Sequence, residues 1–294
     1  MIARGSSIAP VLVAGLVMVV WGATPVMTKL AVAEFDPLLL GLLRTLIGGM
    51  VAAPIIAAMD LPLPKDRVGL GLLVLSAAAG LIVFPILYSF GQRQTSAMHG
   101  GMILAALPIF TGSYVALLER RWPGRRWIAG CILALAGEVA LIVLRGGGGT
   151  PVSILGDVLV LFSALLVASG YVAGGRLGQL GYRAIATTFW GIVLAAAVVA
   201  PVVGVILARQ GWPIAGLPAW GAILWLAVIT SIVGYIGWYW ALAVGGIART
   251  ATMQFFQPIS GLILAAILLG ERLTLPLLAA SALILAGVWL AQRR

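Results

Sequence analysis

Residues 84–108 read FPILYSFGQRQTSAMHGGMILAALP, and residues 234–258 read GYIGWYWALAVGGIARTATMQFFQP. Set 150 positions apart, the two stretches align without a gap: Tyr88 meets Trp238, Phe90 meets Trp240, and Pro108 meets Pro258. The correspondence runs on to Gly137 and Gly287. After a two-residue slip, Leu118-Glu119-Arg120 echoes Gly270-Glu271-Arg272. Unrelated apolar helices resemble one another in their leucines and alanines, but they do not share prolines, glycines and a Glu-Arg pair in one order. The chain is therefore read as two copies, residues 1–145 and 152–294, joined by a glycine-rich linker at 146–151.

Composition settles the solvent. The 294 residues are 62% hydrophobic and only 9% charged. A soluble domain carries about 25% charged residues, so lipid surrounds this chain. The 38 glycines and 15 prolines would mean loops in water, but both residues are frequent in transmembrane helices. Runs long enough to cross the hydrocarbon core, roughly 20 residues each, occur near 10–29, 37–58, 68–90, 97–118, 126–144, 153–175, 182–207, 218–243, 249–269 and 274–291. The expected fold is an all-α integral membrane protein of ten transmembrane helices. Short connections at 60–65 and 270–274 require consecutive helices to pack antiparallel, and Pro201 is expected to bend the seventh. Arg4 before the run at 10–27 resembles a signal peptide. That run is longer than a signal core and ends in no small-residue cleavage site, so it reads as a retained first helix.

Five helices per copy is an odd number, so the second copy must enter the membrane upside down relative to the first. The basic residues agree. With a cytoplasmic N-terminus, the inner side holds Arg4, Lys65, Arg67, Arg120, Arg121, Arg125, Arg126, Arg176, Arg183, Arg249, Arg293 and Arg294. The outer side holds Lys29, Arg93, Arg145, Arg209 and Arg272. That excess of Lys and Arg places both termini in the cytoplasm. The same scatter removes a nucleic-acid role, because the net charge of +10 forms short clusters between apolar runs and no stripe. Inverted repeats characterise secondary transporters, in which the halves exchange conformations around a site near the midplane.

At this point the sequence resembles the drug/metabolite transporter superfamily, of the EamA type. The residues that carry the likeness are Trp21-Gly22, Arg44, Tyr88, Pro108, Glu119-Arg120, Pro258 and Gly270-Glu271-Arg272. Among functional types it is similar to the YddG-like exporters of amino acids. The resemblance implies ten helices in two inverted five-helix repeats and multi-pass insertion in a bacterial inner membrane. It also implies small metabolites as cargo, no cofactor, and a site bounded by helices 1, 3, 4, 6, 8 and 9.

Candidate site residues follow from their rarity in apolar spans. Ionisable groups there are costly and are functional or paired, and the set is Arg44, His99, Glu138 and Asp157. By helical rise, Arg44 and Glu138 lie about 10 Å and about 9 Å from the outer ends of their helices. An ion pair between them is expected, serving either helix packing or an outer gate. His99 is the sole histidine, so it is either an interfacial side chain or the group that would link transport to protons. Asp157 reads as a cap of the sixth helix, since Ser153 to Asp157 has the pattern of a helix start.

Tyr235, Trp238 and Tyr239 share one helical face, as do Phe84 and Tyr88 in the repeat-related helix, and Trp21 and Tyr171 are repeat partners. These aromatics are assigned to the lining of a cavity, whereas Trp122, Trp127, Trp212 and Trp220 read as an interfacial belt. Gln254 and Gln257 would make one wall wetter than its counterpart, where Leu104 and Leu107 stand. Pro108 and Pro258 are the expected hinges, freeing backbone carbonyls at matched places. Such a cavity suits amino acids. A phosphate ester would need several inward cations, and only Arg44 is present.

Other classes fare badly. No G-x-S-x-G elbow, facing Asp pair or phosphate loop occurs, and one His with one Cys makes no metal cluster. Cys131 lies in an apolar run and is read as a buried, inert thiol. An enzyme is not expected; the alternative is an exporter of other drugs or metabolites of the same superfamily, ahead of an intramembrane enzyme, the main rival class, and of a channel, which is harder to exclude.

Overall fold

The apolar runs are punctuated by residues that begin or end helices. Asp36 precedes Pro37, and its carboxylate accepts from the amides of Leu38 and Leu39 at 2.9 and 3.1 Å. Ser96 accepts from His99 N at 3.0 Å, and Ser153 from Gly156 N at 2.9 Å. Gly211, Gly246 and Gly270 follow three helices with positive φ, a backbone region that glycine enters without strain. The structure is a computed structural model that describes residues 8–120, 124–144 and 153–292; the linker at 146–151 lies outside them.

Among the described residues the chain is all-helical. The helices are α1 (Ala9–Val32), α2 (Pro37–Met59), α3 (Arg67–Gln94), α4 (Ala97–Glu119), α5 (Arg125–Leu144), α6 (Ile154–Gln179), α7 (Ala184–Gln210), α8 (Leu217–Gly245), α9 (Phe256–Leu269) and α10 (Leu275–Gln292). Seven of them, α1–α4 and α6–α8, are long and apolar enough to cross a membrane. At 1.5 Å per residue α9 spans only about 21 Å. A helical turn Ile247–Thr250 and a 3₁₀ segment Ala251–Phe255 lead directly into it and extend the rod. Pro201 lies inside α7 without ending it.

The helices are not uniform. α1 is interrupted at Ala23, and α3 and α8 widen into π-helical turns at Ala78–Val83 and Trp225–Gly234. α4 tightens to 3₁₀ geometry at Leu104–Ala106, just before Pro108. Such departures strip carbonyls of their usual partners and often mark functional segments.

Packing runs mainly between the halves of the sequence. α2 packs along α7, α5 along α10, α3 on α6, α1 on α8 and α9, and α4 on α6 and α9. The α5–α10 contact is closest at small residues: a Cβ on Gly287 would strike the backbone of Ala134 and Gly130. Small residues let helices approach where lipid supplies no hydrophobic drive to associate.

The outer surface is apolar. On α1, Leu12, Leu16 and Val19 point outward at 56, 68 and 56% exposure, while Ala14, Met18 and Trp21 on the opposite face are buried. An apolar face toward the surroundings and a mixed one within is the pattern of a lipid-bathed bundle. Cys131 is buried at the edge of this packing, as expected.

Candidate functional site

The aromatic residues of the two halves meet. Trp21 of α1 stacks on Tyr171 of α6, with ring centroids 5.3 Å apart and planes 14° from parallel. Tyr235 and Trp238 of α8 approach Trp21 at 5.4 and 5.6 Å. Tyr239 stands edge-on to Tyr235 at 5.3 Å, and Phe84 stacks on Tyr88 at 5.1 Å in α3.

The rings are held by the irregular turns. Trp21 Nε1 donates to the carbonyl of Thr230 at 3.0 Å, and the Tyr235 hydroxyl donates to the carbonyl of Gly80 at 3.0 Å. Gly80 and Thr230 lie 150 positions apart, each in a π-helical stretch. The Thr45 hydroxyl donates to the carbonyl of Leu81, in the same stretch as Gly80. The Tyr239 hydroxyl lies 2.6 Å from Ser76 Oγ, and its ring fits against Gly174, where a Cβ would collide with it.

A cleft opens beside this cluster, lined by Trp21, Thr24, Arg44, Phe84, Leu104, Leu107, Tyr171, Thr230, Tyr235 and Gln257. The space in it that a molecule can occupy is only about 10 Å³, room for about one water. A solute would have to widen it.

Five residues expected in the cavity reach this cleft: Trp21, Phe84, Tyr171, Tyr235 and Gln257. Tyr88, Trp238 and Tyr239 stand behind, packed on the lining rings or held by Ser76. Gln254 is fully buried, and neither amide atom has a protein partner. Leu104 and Leu107 face the cleft as the drier wall opposite Gln257. The prolines end up where chain geometry changes, Pro108 after the 3₁₀ turn of α4 and Pro258 after that preceding α9.

Among the described residues, Arg44 has a hydroxyl partner. It lines the cleft and donates from a terminal nitrogen to Ser231 Oγ at 3.0 Å. Ser231 in turn donates to the carbonyl of Leu226, five residues back, at 2.8 Å. The side chain of Glu138 lies outside the described residues, and its helix α5 packs along α10, whereas α2 packs along α7.

His99 belongs to a second buried site, at the end of the bundle where α1 ends. Its Nδ1 lies 3.4 Å from Asp157 Oδ2, and Asp157 also accepts from the Thr95 hydroxyl. Asp157 is thus no cap: Ser153 caps α6, while Asp157 turns inward to α4 and the α3–α4 junction. Lys29 Nζ donates to the carbonyls of Gln92 and Thr95 at 3.0 and 2.6 Å, a cation on the C-terminal end of α3. Glu271 accepts from the amides of Ala97 and Met98, both at 2.8 Å, an anion on the N-terminal end of α4. Gln92 donates to the Tyr88 hydroxyl at 2.9 Å and so links this end to the aromatic cluster.

Lys29 and Glu271 were not assigned to any site from sequence, because both sit at helix ends where a solvated charge is the ordinary reading. The signal was there: Glu271 follows a glycine that turns the chain sharply back. Thr24, Thr230 and Ser231 were also missed, since a hydroxyl in an apolar run carries no charge to mark it.

A multi-helix membrane protein with an aromatic, polar-edged cleft between its halves has the build of a solute carrier. The chain belongs to the EamA-like transporter family, whose profile matches residues 8–144 and, separately, 154–292. It is 31% identical over 284 residues to the uncharacterized transporter YdeK of Bacillus subtilis, covering 94% of each chain. It is 27% identical over 287 residues to a probable amino-acid metabolite efflux pump of Salmonella typhimurium, covering 94% of this chain and 92% of that one. A solved crystal structure, 18% identical, superposes with a TM-score of 0.68 over 96% of both chains and shares the fold. The protein is therefore a multi-pass membrane transporter of this family.

Proposed function

We propose that the chain exports neutral amino acids, aromatic ones among them, and related small metabolites across a bacterial inner membrane by alternating access. Two five-helix repeats, 1–145 and 152–294, inserted with opposite orientation, rock about the cleft, and both termini face the cytoplasm. The observation that carries this reading is the cleft itself. Its walls come from both repeats, and Trp21 and Tyr235 hang from carbonyls 150 positions apart. Support for the repeat also comes from the separate family matches to the two halves. The Salmonella relative's description as a probable amino-acid metabolite efflux pump supports amino acids as cargo.

In this reading Trp21, Phe84, Tyr171, Tyr235 and Gln257 meet the solute, backed by Tyr88, Trp238, Tyr239 and Gln254. Pro108 and Pro258 are hinges. The His99–Asp157 pair is the proton site if export is proton-linked. A cationic drug is the poorer cargo, because Arg44 would repel it from the ring faces.

The test is a panel of labelled amino acids, aromatic, aliphatic and charged, offered to proteoliposomes holding the purified chain, with and without a pH gradient. Uptake of neutral amino acids above empty liposomes is expected. Uptake of organic cations alone would overturn the reading.

A further inference from the structure

Among the described residues, Arg44 is a buried cation without a counter-charge. Its side chain is 2% exposed and lies within the membrane-spanning part of α2. Among the described residues, no carboxylate pairs with it. The helices that pack against α2 are α1, α3, α7 and α8, and none of them contains an Asp or Glu. α6 brings Asp157, which is engaged by Thr95 and His99. A buried guanidinium with a single hydroxyl for company is expensive, and such groups in membrane spans mark substrate paths.

The surroundings point the same way. Arg44 Nε has no protein partner, and neither have Thr24 Oγ1, Thr230 Oγ1 or Gln257 Oε1. All four residues line the one cleft. Unpartnered buried polar atoms also occur elsewhere in the bundle, at Thr187 and Thr188 for example, but here four converge on one cleft beside a buried cation, a place suited to receive a polar group. The guanidinium offers donors in a flat fork that matches a carboxylate. The rest of the wall is Phe84, Leu104, Leu107 and the rings of Trp21, Tyr171 and Tyr235, which suit an apolar body.

We propose that Arg44 is the carboxylate anchor of the transport site, and that the cleft selects solutes bearing one carboxylate on an apolar or aromatic body. The inference rests on the cleft being the transport site, and it goes further in making the carboxylate the recognised group. The ammonium of an amino acid is tolerated by the ring faces and the Gln257 carbonyl, and it is not required.

Three probes of one shape test this: phenylalanine, 3-phenylpropionate (carboxylate only) and phenethylamine (ammonium only). Binding to the purified full chain is read by tryptophan fluorescence, and translocation by uptake into proteoliposomes. Wild type should bind 3-phenylpropionate at least about tenfold more tightly than phenethylamine, the scale of one charge-assisted pair. Arg44→Gln should bring that ratio close to one, and Arg44→Lys should keep most of it. A purely structural arginine would not move the ratio.

Phenethylamine binding as tightly as 3-phenylpropionate in wild type would overturn the proposal, whatever the variants do. So would Arg44→Gln keeping the preference. Phenylalanine uptake with no carboxylate preference would sink the anchor and leave amino-acid transport standing. An Arg44-dependent preference without amino-acid uptake would leave the anchor and sink the transport reading. If Arg44→Gln does not fold, Arg44→Met, which keeps the apolar stem without the charge, takes its place in the same comparison.

Discussion

Trp21 shows how much one side chain can join. Its ring touches Tyr171, Tyr235 and Trp238, its N–H holds the carbonyl of Thr230, and its face lines the cleft. Replacing Trp21 by Phe keeps a ring but removes the donor, leaving the Thr230 carbonyl unpaired. The expected cost is about 1 kcal/mol of stability, seen as a small drop in thermal unfolding temperature in detergent. Amino-acid uptake should fall severalfold, because the ring that remains is no longer fixed. Uptake equal to wild type would remove Trp21 from the site. The sequence pointed to Trp21 through its repeat partner Tyr171. It could not point to Thr230, since a backbone carbonyl becomes an acceptor only where the helix departs from regularity.

Helices, as elements, were largely legible. The expected span 97–118 is observed at Ala97–Glu119, and 68–90 at Arg67–Gln94. Hydrocarbon thickness fixes the length, and capping residues fix the ends. What was not legible was the geometry inside helices: nothing in AAGLIV at 78–83 announces a π turn. Charges at helix ends were likewise underread. Lys29 and Glu271 were counted as loop charges or motif letters, yet they hold the two sides of the α3–α4 turn through backbone contacts that residue spacing does not reveal. Glu271→Gln keeps the size but lowers the charge at the α4 N-terminus. It should cost about 1 kcal/mol, read as earlier thermal unfolding, and should raise hydrogen exchange at the amides of Ala97 and Met98. Unchanged exchange there would show that the carboxylate does not cap α4.

At the scale of the whole molecule, the halves of the sequence face each other across the cleft, and the most extended packing contacts, α5 with α10, α3 with α6 and α2 with α7, join one half to the other. The proposed alternating access would bend at the irregular turns near Gly80, Leu104, Thr230 and Pro258. The Lys29, Asp157, His99 and Glu271 end is packed shut, and the cleft between the rings is narrow, so a solute cannot cross this arrangement without a rearrangement. A carrier differs from a channel here in a measurable way. Proteoliposomes preloaded with unlabelled phenylalanine should take up labelled phenylalanine several times faster than empty ones, because a loaded carrier returns sooner than an unloaded one. Equal rates with and without preload, at any concentration that gives uptake, would contradict alternating access through this cleft.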